Sequence, residues 1–359
     1  MSGRNRYTWM DRSLHHVAFS TRFAQFGAAD LEERVFRKEL ERVTPEDPIF
    51  ITALPRAGTT ILLEVISKTK TIATHIYRDM PFVLCPMLWS RITRRFQKAD
   101  TPRERMHGDG IHISIDSPEA FEEVVWKAFY RKRYRGATID PWSKVDDAEF
   151  VEFLHSHMRK IIALRARGKP TARRYASKNN LNIARVPSLL DALPDASILV
   201  PFRDPVQHAA SLLLQHQRFS KLHEEDRFAR RYMEAIGHYD FGDHLKPVNF
   251  DSWFGDRDIK EAAQLGFWVE YWLSTYRHVL RHADHDRLHL IGFEALGASE
   301  DLSRLAEVLH LDAGDLNIHA SVLRPAKTHA VDISAIDPVL VSEANSLYEE
   351  LRSHCLLGA

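Results

Sequence analysis

The sequence has few cysteines, no long apolar run and no net charge. Only Cys85 and Cys355 are cysteines among 359 residues, so we expect no disulfide framework and a reducing compartment. No run of 18 apolar residues occurs and the first residues lack the apolar core of a signal peptide, so we expect no membrane span. The 49 basic residues balance 49 acidic ones, which argues against a nucleic-acid binder. The composition favours a cytoplasmic protein.

The sequence does contain an apolar segment, residues 48–66, that is interrupted by a turn of small residues and then resumes. Its first part, Ile49 to Leu54, carries no charge, which is typical of a strand buried on both faces. Gly58 permits close approach of the backbone, and Thr59 and Thr60 place hydroxyl groups at the start of a helix. Such a helix N-terminus favours anion binding. The alternative is an ordinary strand-to-helix turn with a threonine cap.

The turn lacks the lysine of nucleoside-triphosphate loops. In a loop of the form G-x-x-x-x-G-K-[ST], lysine follows the second glycine, whereas here Thr59 follows Gly58. Arg56 supplies a forked cation within the turn. The loop nevertheless has no lysine to neutralise the β- and γ-phosphates of ATP. The segment therefore predicts a bound anion and disfavours ATP hydrolysis.

A second apolar segment, residues 196–202, is typical of a strand and ends at Arg203. A helix is expected to follow over residues 206–215. Arg203 would lie at the C-terminal edge of its strand, where open α/β sheets bind ligands. Ser211 follows eight residues later, two helical turns on, so both side chains could reach one phosphate. The alternatives are a surface or capping role for Arg203 and a place on a plain helix face for Ser211.

Together these segments resemble the sulfotransferase family that uses 3′-phosphoadenosine 5′-phosphosulfate (PAPS). Family members grip the 5′-phosphosulfate with a loop of the form P-[KR]-[ST]-G-T-T, and here Pro55 to Thr60 match it, with Ala57 where serine is commoner. They hold the 3′-phosphate with an arginine and a serine eight residues later, which here are Arg203 and Ser211. The residues of both motifs are similar to those of the bacterial branch of the family rather than of the animal cytosolic enzymes.

The resemblance covers residues 47–220 and, more weakly, residues 286–296. It implies an α/β fold, with a P-loop-type parallel sheet flanked by helices and a helix-rich insertion that forms the acceptor side. We expect a single domain over residues 1–359, made of an N-terminal helical segment (1–45), a nucleotide-binding core (46–78 and 170–310), a helical insertion (80–168) and a C-terminal loop and helix (311–359).

A third element, residues 173–182, resembles the family segment that carries a catalytic lysine, which here is Lys178. The resemblance implies that Lys178 contacts the sulfuryl group or the bridging oxygen, where a cation stabilises the charge that grows on the leaving phosphate oxygen. The alternative is a solvated lysine at a strand end. In the animal cytosolic enzymes a histidine two residues later is the general base. Here that position is Asn180, whose amide takes no proton at neutral pH.

The proton acceptor therefore comes from elsewhere in the chain, or the protein uses the arrangement of another branch of the family. We rank His107 first, because it lies in a glycine-flanked stretch typical of an exposed loop and because a histidine titrates near neutrality. Asp109 could orient it. Asp79 ranks second, since it follows the first helix, where some family branches place a catalytic glutamate. Any one of the 20 histidines is by default a solvated or core residue.

The resemblance implies sulfuryl transfer from PAPS to a hydroxyl or amine of a small-molecule, glycan or peptide acceptor, with no metal required. A late basic segment often closes over the 3′-phosphate in the family, which makes Arg324 and Lys327 further candidates. Two other functions remain open, a P-loop kinase-like ATP-dependent phosphotransferase and a non-catalytic nucleotide-binding relative. The acceptor and the oligomeric state are open as well.

A basic run, residues 158–178, holds eight basic residues and no acidic one. It is either a solvated helix face or a funnel for the polyanionic donor or an anionic acceptor.

Overall fold

The centre of the molecule is a six-stranded parallel sheet. The computed structural model describes residues 9–19, 22–93, 103–104, 112–145, 147–296, 299–319, 323 and 328–357. In spatial order the strands of the sheet are β2 (Ile72–Ala73), β5 (Arg174–Lys178), β1 (Glu46–Ile51), β6 (Ser197–Phe202), β7 (Leu288–Gly292) and β8 (Cys355–Leu357). A short antiparallel pair is formed by β3 (Arg103–Glu104) and β4 (His112–Ile113).

Helices precede, connect and follow the strands. The α-helices are α1 (Trp9–Phe19), α2 (Arg22–Leu40), α3 (Thr59–Lys68), α4 (Pro86–Thr93), α5 (Glu122–Tyr130), α6 (Ala148–Ala166), α7 (Val186–Ala192), α8 (Pro205–Glu225), α9 (Arg227–Ala235), α10 (Leu265–Leu280), α11 (Ser299–Val308), α12 (Ala313–Ile318) and α13 (Pro338–Ser353). The 3-10 helices are Tyr77–Asp79, Arg131–Tyr134, Asn180–Arg185, Gly242–His244, Phe250–Ser252, Ile259–Ala263, Phe293–Ala295 and Ile333–Ala335. Over the described ranges, none of the helices is long and apolar enough to cross a membrane.

The sheet is covered on both faces, and the alternation of side chains along β1 shows how. Phe50 packs into the core cluster formed with helices α6, α8 and α10. Its neighbours Ile49 and Ile51 pack into a second cluster, which includes residues of α3 and α11. Successive side chains of a strand point to opposite faces, so the uncharged, buried residues 48–51 of β1 suit this central position, whereas Glu46 and Asp47 at its start are exposed.

The structure confirms the α/β fold class and the parallel sheet flanked by helices. The strand predicted over 49–54 is β1, which ends at Ile51, and the remaining apolar residues form the loop. The strand expected over 196–202 is β6, and its helix, α8, runs ten residues beyond the predicted end at 215. These elements place the C-terminal ends of β5, β1 and β6 side by side at one edge of the sheet.

The C-terminal segment departs from its prediction as a loop and a helix. Cys355–Leu357 form β8 and pair with β7, so this segment completes the sheet. Three residues directly after a helix are too short to show a strand pattern in the sequence. The division of the chain into the segments expected above stays a prediction.

Candidate active site

The loop between β1 and α3 has a backbone that suits close contact with a ligand. Arg56 and Gly58 both adopt positive φ angles, of 73° and 97°. A Cβ atom at Gly58 would lie 2.1 Å from ring atoms of Phe293, so only glycine fits here without displacing that ring. α3 begins at Thr59, directly after Gly58, and its first N–H groups therefore start at the sheet edge. This is the geometry of an anion-binding helix N-terminus.

The two phosphate-binding segments predicted from the sequence meet in space. Arg203 Nη1 donates to the carbonyl oxygen of Arg56 (3.0 Å), and Arg56 Nε donates to Ser211 Oγ (3.4 Å). The guanidinium of Arg203 also lies over the ring of Phe293, at 5.5 Å from its centroid. The structure thus brings Arg56, Arg203 and Ser211 into one cluster beside the start of α3.

The charges of this cluster fit an anionic ligand. Arg203 is only 6% exposed, and its Nε lies 4.0 Å from Glu294 Oε1. Burial lowers the pKa of Arg203, Glu294 raises it, and the charge of Arg56 lowers it again. Two adjacent guanidinium groups in a partly buried site favour a bound anion because it would offset their repulsion.

His208 holds the loop between β1 and α3 through a hydrogen bond to its backbone, a role that the sequence analysis did not predict. It is buried in the first turns of α8, and its Nε2 lies 2.8 Å from the carbonyl oxygen of Pro55. Because a carbonyl oxygen only accepts, Nε2 must carry the proton. Burial, together with the charge of Arg203, lowers the pKa of His208 to about 3. The available signal was its position three residues before Ser211, which places both on one helix face.

Buried histidines such as His208 should make the free energy of unfolding fall at acid pH. An unfolded histidine titrates near 6.5, whereas burial also holds the pKa of His157 well below that value. At pH values between the pKa of the folded histidine and that of the unfolded one, the unfolded chain binds more protons than the folded one. The free energy of unfolding therefore rises with pH in this range, and it is lost as the pH falls below about 6.5. Each such group contributes about 1.4 kcal/mol per pH unit. In thermal denaturation between pH 7 and 5, His208→Asn should show a shallower slope than the unmodified protein, and parallel slopes would contradict this.

Asn180 joins the loop to the segment that carries Asp240. It follows β5 and Lys178, and its amide oxygen accepts a hydrogen bond from Thr59 Oγ1 (3.3 Å). Its Nδ2 donates to Asp240 Oδ2 (3.0 Å). Thr52 Oγ1 holds the backbone carbonyl oxygen of Asn180 (3.1 Å). Asn180 is therefore a bridge between the anion-binding loop and a carboxylate that the sequence analysis did not select.

An imidazole and a carboxylate lie together beside Asn180. His238 Nε2 is 3.8 Å from Asp240 Oδ2, and each side chain is 14% exposed. Burial lowers the pKa of His238, Asp240 opposes this, and the charge of Lys178 lowers the pKa further. His238 is therefore neutral at pH 7, and Lys178 lies near enough to act on it. The His-Tyr-Asp sequence after Gly237 was a weak signal among 20 histidines.

Asp79, the second candidate for the proton acceptor, is 2% exposed and engaged elsewhere. Arg165 contacts both of its carboxylate oxygens, the backbone N–H of Ile76 donates to Oδ2 (2.9 Å), and His75 Nδ1 lies 3.6 Å away. Burial alone would raise the pKa of Asp79, but Arg165 and His75 lower it. A carboxylate held in this way is a poor proton acceptor, so its surroundings favour a structural role in the turn after β2.

His107, Arg324 and Lys327 lie outside the described residues, as does Asp109. Their proposed roles stay predictions. Within the described parts of the chain, no three His, Cys, Asp or Glu side chains are grouped so that they could hold a metal ion.

The basic run at 158–178 does not form a funnel. Most of its cations contact partners in the protein, namely Lys160 with Glu32, Arg165 with Asp79, Arg167 with Glu39, Lys169 with the carbonyl oxygens of Ser67 and Ile72, Arg173 with Glu46, and Arg174 with those of Asp47 and Leu309. Four of these cations face carboxylates, which leaves them little charge to steer a ligand. Lys178 differs, since its charge lowers the pKa of His238.

Comparison with known proteins identifies the class to which this site belongs. The family model described as "Sulfotransferase family" matches residues 48–250, which is more than half of the chain. The chain belongs to the sulfotransferase family. This confirms the resemblance seen in the sequence.

Distantly similar structures include three sulfotransferases. Sulfotransferase STF9 from Mycobacterium avium has 13% identity and a TM-score of 0.46, covering 90% of this chain and 79% of that chain. The enzyme from Alicyclobacillus acidocaldarius has 15% identity and a TM-score of 0.38, covering 87% and 94%. Mouse SULT7A1, solved in complex with PAP, has 13% identity and a TM-score of 0.33, covering 89% and 88%. No curated protein matches the chain significantly.

Proposed function

We propose that this protein transfers a sulfuryl group from PAPS to a hydroxyl or amine of a small-molecule, glycan or peptide acceptor. The observation that carries the proposal is the convergence of Arg56, Arg203 and Ser211 beside the N-terminus of α3. A donor with phosphate at both the 5′ and the 3′ positions supplies two anions for this cluster and for the loop from Arg56 to Thr60. ATP has no 3′-phosphate, and the loop has no lysine for its γ-phosphate.

The donor side of the site binds and neutralises charge. Arg56, the backbone of Ala57 and Gly58, and the hydroxyls of Thr59 and Thr60 would hold the 5′ end, and Arg203 with Ser211 would hold the 3′ end. Lys178 would stabilise the negative charge that develops on the leaving phosphate oxygen as the bond between sulfur and that oxygen breaks. These fixed groups need no reorganisation during the reaction.

The acceptor side of the site would remove the proton. Two hydrogen bonds through Asn180 link Asp240 to Thr59 at the anion-binding loop. We assign Asp240 as the group that takes the proton from the acceptor hydroxyl while the acceptor oxygen forms its bond to sulfur. The neutral His238 lies beside it and adds no positive charge that would hold the carboxylate in an ion pair. Asn180, which stands at the position of the histidine in the animal enzymes, would orient Asp240 through its hydrogen bond.

Two measurements test the proposed function. Adenosine 3′,5′-bisphosphate (PAP) at about 100 times its dissociation constant should stabilise the protein by about 2.7 kcal/mol in a thermal-shift assay, and ATP with Mg²⁺ should stabilise it far less. Labelled sulfate should pass from PAPS to at least one member of a panel of phenols, glycans and peptides. Stabilisation by ATP with Mg²⁺ but not by PAP would overturn the proposal in favour of a kinase-like enzyme. Binding of PAP without any transfer would favour a non-catalytic relative. Cytoplasmic location stays a prediction and is not needed for either assay.

A further inference from the structure

The first two residues of α5 are acidic, and both are buried. Glu122 is 0% and Glu123 is 4% exposed. We propose that Glu123, paired with Arg185, is a positioning residue that holds the 178–180 segment and the 238–240 segment in register with each other. The catalytic consequence rests on the proposed sulfuryl transfer, whereas the structural coupling does not.

Glu123 is bound first to the segment that carries Lys178 and Asn180. Its carboxylate accepts hydrogen bonds from Arg185 Nη1 and Nη2 (2.8 Å each) and from Asn179 Nδ2 (2.7 Å). Asn179 lies between Lys178 and Asn180 in the chain. Arg185, which is 0% exposed, also donates to Asn182 Oδ1 (3.0 Å), so the carboxylate fixes the 3-10 helix that follows β5 at two points.

The same carboxylate side chain supports the segment that carries His238 and Asp240. Gly237 has a φ of 79°, and a Cβ atom there would lie 2.6 Å from Glu123 Cγ, so the chain passes directly over this side chain. Tyr134 hydrogen-bonds to Glu123 and to Arg185, and its ring stacks on that of Tyr239 with centroids 5.4 Å apart. Asp240 directly follows Tyr239 in the chain, so this stacking supports the backbone beside Asp240.

The location of this ion pair is the reason to assign it a positioning role. A buried ion pair contributes little net stability compared with apolar residues of the same volume, but removal of one partner leaves a costly unpaired charge. The Asn180–Asp240 hydrogen bond requires the two segments to stay in register. Glu123 bonds to Asn179 in the first segment and lies against Gly237, the residue directly before the second. A group that acts through others in this way should affect turnover more than donor binding.

The chain offers a matched control for this proposal. Glu32 and Lys160 form a second buried pair, with 3.6 Å between Oε1 and Nζ and exposures of 0% and 1%. Glu32 accepts a further hydrogen bond from the backbone N–H of Leu88 (2.7 Å), between α2 and α4. Among the residues that the structure describes, the polar partners of this pair are the backbone groups of Leu88 and Ala29, which lie in neither the 178–180 nor the 238–240 segment. Its loss should therefore cost stability without affecting the site.

The test compares Glu123→Gln with Glu32→Gln. We expect Glu123→Gln to lower kcat by about 10²-fold, as a displacement of about 1 Å would, with PAP affinity within about twofold of the unmodified protein. Glu32→Gln should keep kcat within about twofold. Glu123→Gln removes the carboxylate that pairs with Arg185, so this variant can fail to fold. Tyr134→Phe and Gly237→Ala are therefore used as milder variants that disturb the contacts of Glu123 without removing its charge. Each should lower kcat by less than Glu123→Gln does.

Hydrogen–deuterium exchange provides a readout that needs no activity. In Tyr134→Phe and Gly237→Ala, amide exchange should rise in both segments, 178–182 and 237–242, and in neither segment for Glu32→Gln. Faster exchange in only one segment, or a loss of PAP affinity equal to the loss of kcat, would overturn the positioning role. If the unmodified protein binds no PAP, the proposed function fails, and the exchange experiment still decides whether Glu123 couples the two segments.

Discussion

Replacement of Asp240 by asparagine should lower kcat for sulfuryl transfer by about 10²–10⁴-fold, which is the contribution expected of a positioned general base. The substitution keeps the shape of the side chain, and its amide oxygen can still accept the hydrogen bond from Asn180 Nδ2. The anion-binding loop should therefore stay in place, and the affinity for PAP should not change. Steady-state kinetics together with calorimetric titration of PAP separate these two effects.

Two companion variants make the Asp240 result specific. Asp243→Asn removes a carboxylate three residues later that pairs with Arg230 at 3.2 Å, and it should leave kcat within about twofold. His107→Gln tests the proton acceptor that the sequence favoured. If Asp240→Asn retains most of its kcat and His107→Gln loses it, the proton passes to His107 and the assignment of Asp240 is wrong.

Arg203→Ala should weaken PAP binding by roughly 30-fold or more, since loss of one partner of a buried, hydrogen-bonded charge pair costs about 2–5 kcal/mol. Arg203 is buried beside Ser211 and Arg56, where it would contact the 3′-phosphate directly. The Tm of the unliganded protein should change little, because burial and the charge of Arg56 lower the pKa of Arg203 against the opposing effect of Glu294, so the folded protein holds this charge at a cost when no anion is bound.

Arg277→Ala is the control for this variant. Arg277 is half exposed, pairs with Glu343 on the surface at 2.8 Å, and belongs to α10. Its removal should change PAP affinity by less than about twofold, as expected for a surface ion pair. An Arg203→Ala variant that binds PAP as tightly as Arg277→Ala would remove Arg203 from the donor site.

The donor side of the site could be predicted from the sequence because its signals are local. The apolar strand, Gly58 and the threonines of the loop lie within a dozen residues, and Arg203 and Ser211 are linked by the period of one helix. Structure that depends on residues close together in the chain leaves a pattern that can be recognised in the sequence. The central strands and the parallel topology followed from the same uncharged runs.

The proposed acceptor side could not be predicted from the sequence, because its residues are brought together by contacts that are long-range in the chain. Asp240 is 60 residues from Asn180, and only the fold brings its carboxylate to the amide. Glu123 is 62 residues from Arg185, so the sequence shows an ordinary acidic start to a helix. The same limit made the basic run at 158–178 misleading, since its partners Glu32, Glu39 and Glu46 lie far away in the chain.

The central claim is that one site holds two phosphate groups of a single nucleotide, one at the loop and one at Arg203 with Ser211. Isothermal titration of the protein with PAP, 5′-AMP and 3′-AMP tests it most directly. We predict that PAP binds at least about 30-fold more tightly than either monophosphate, because each monophosphate lacks one charge-assisted contact set. Equal affinity for PAP and 5′-AMP would contradict the claim, since it would mean that Arg203 and Ser211 hold no phosphate.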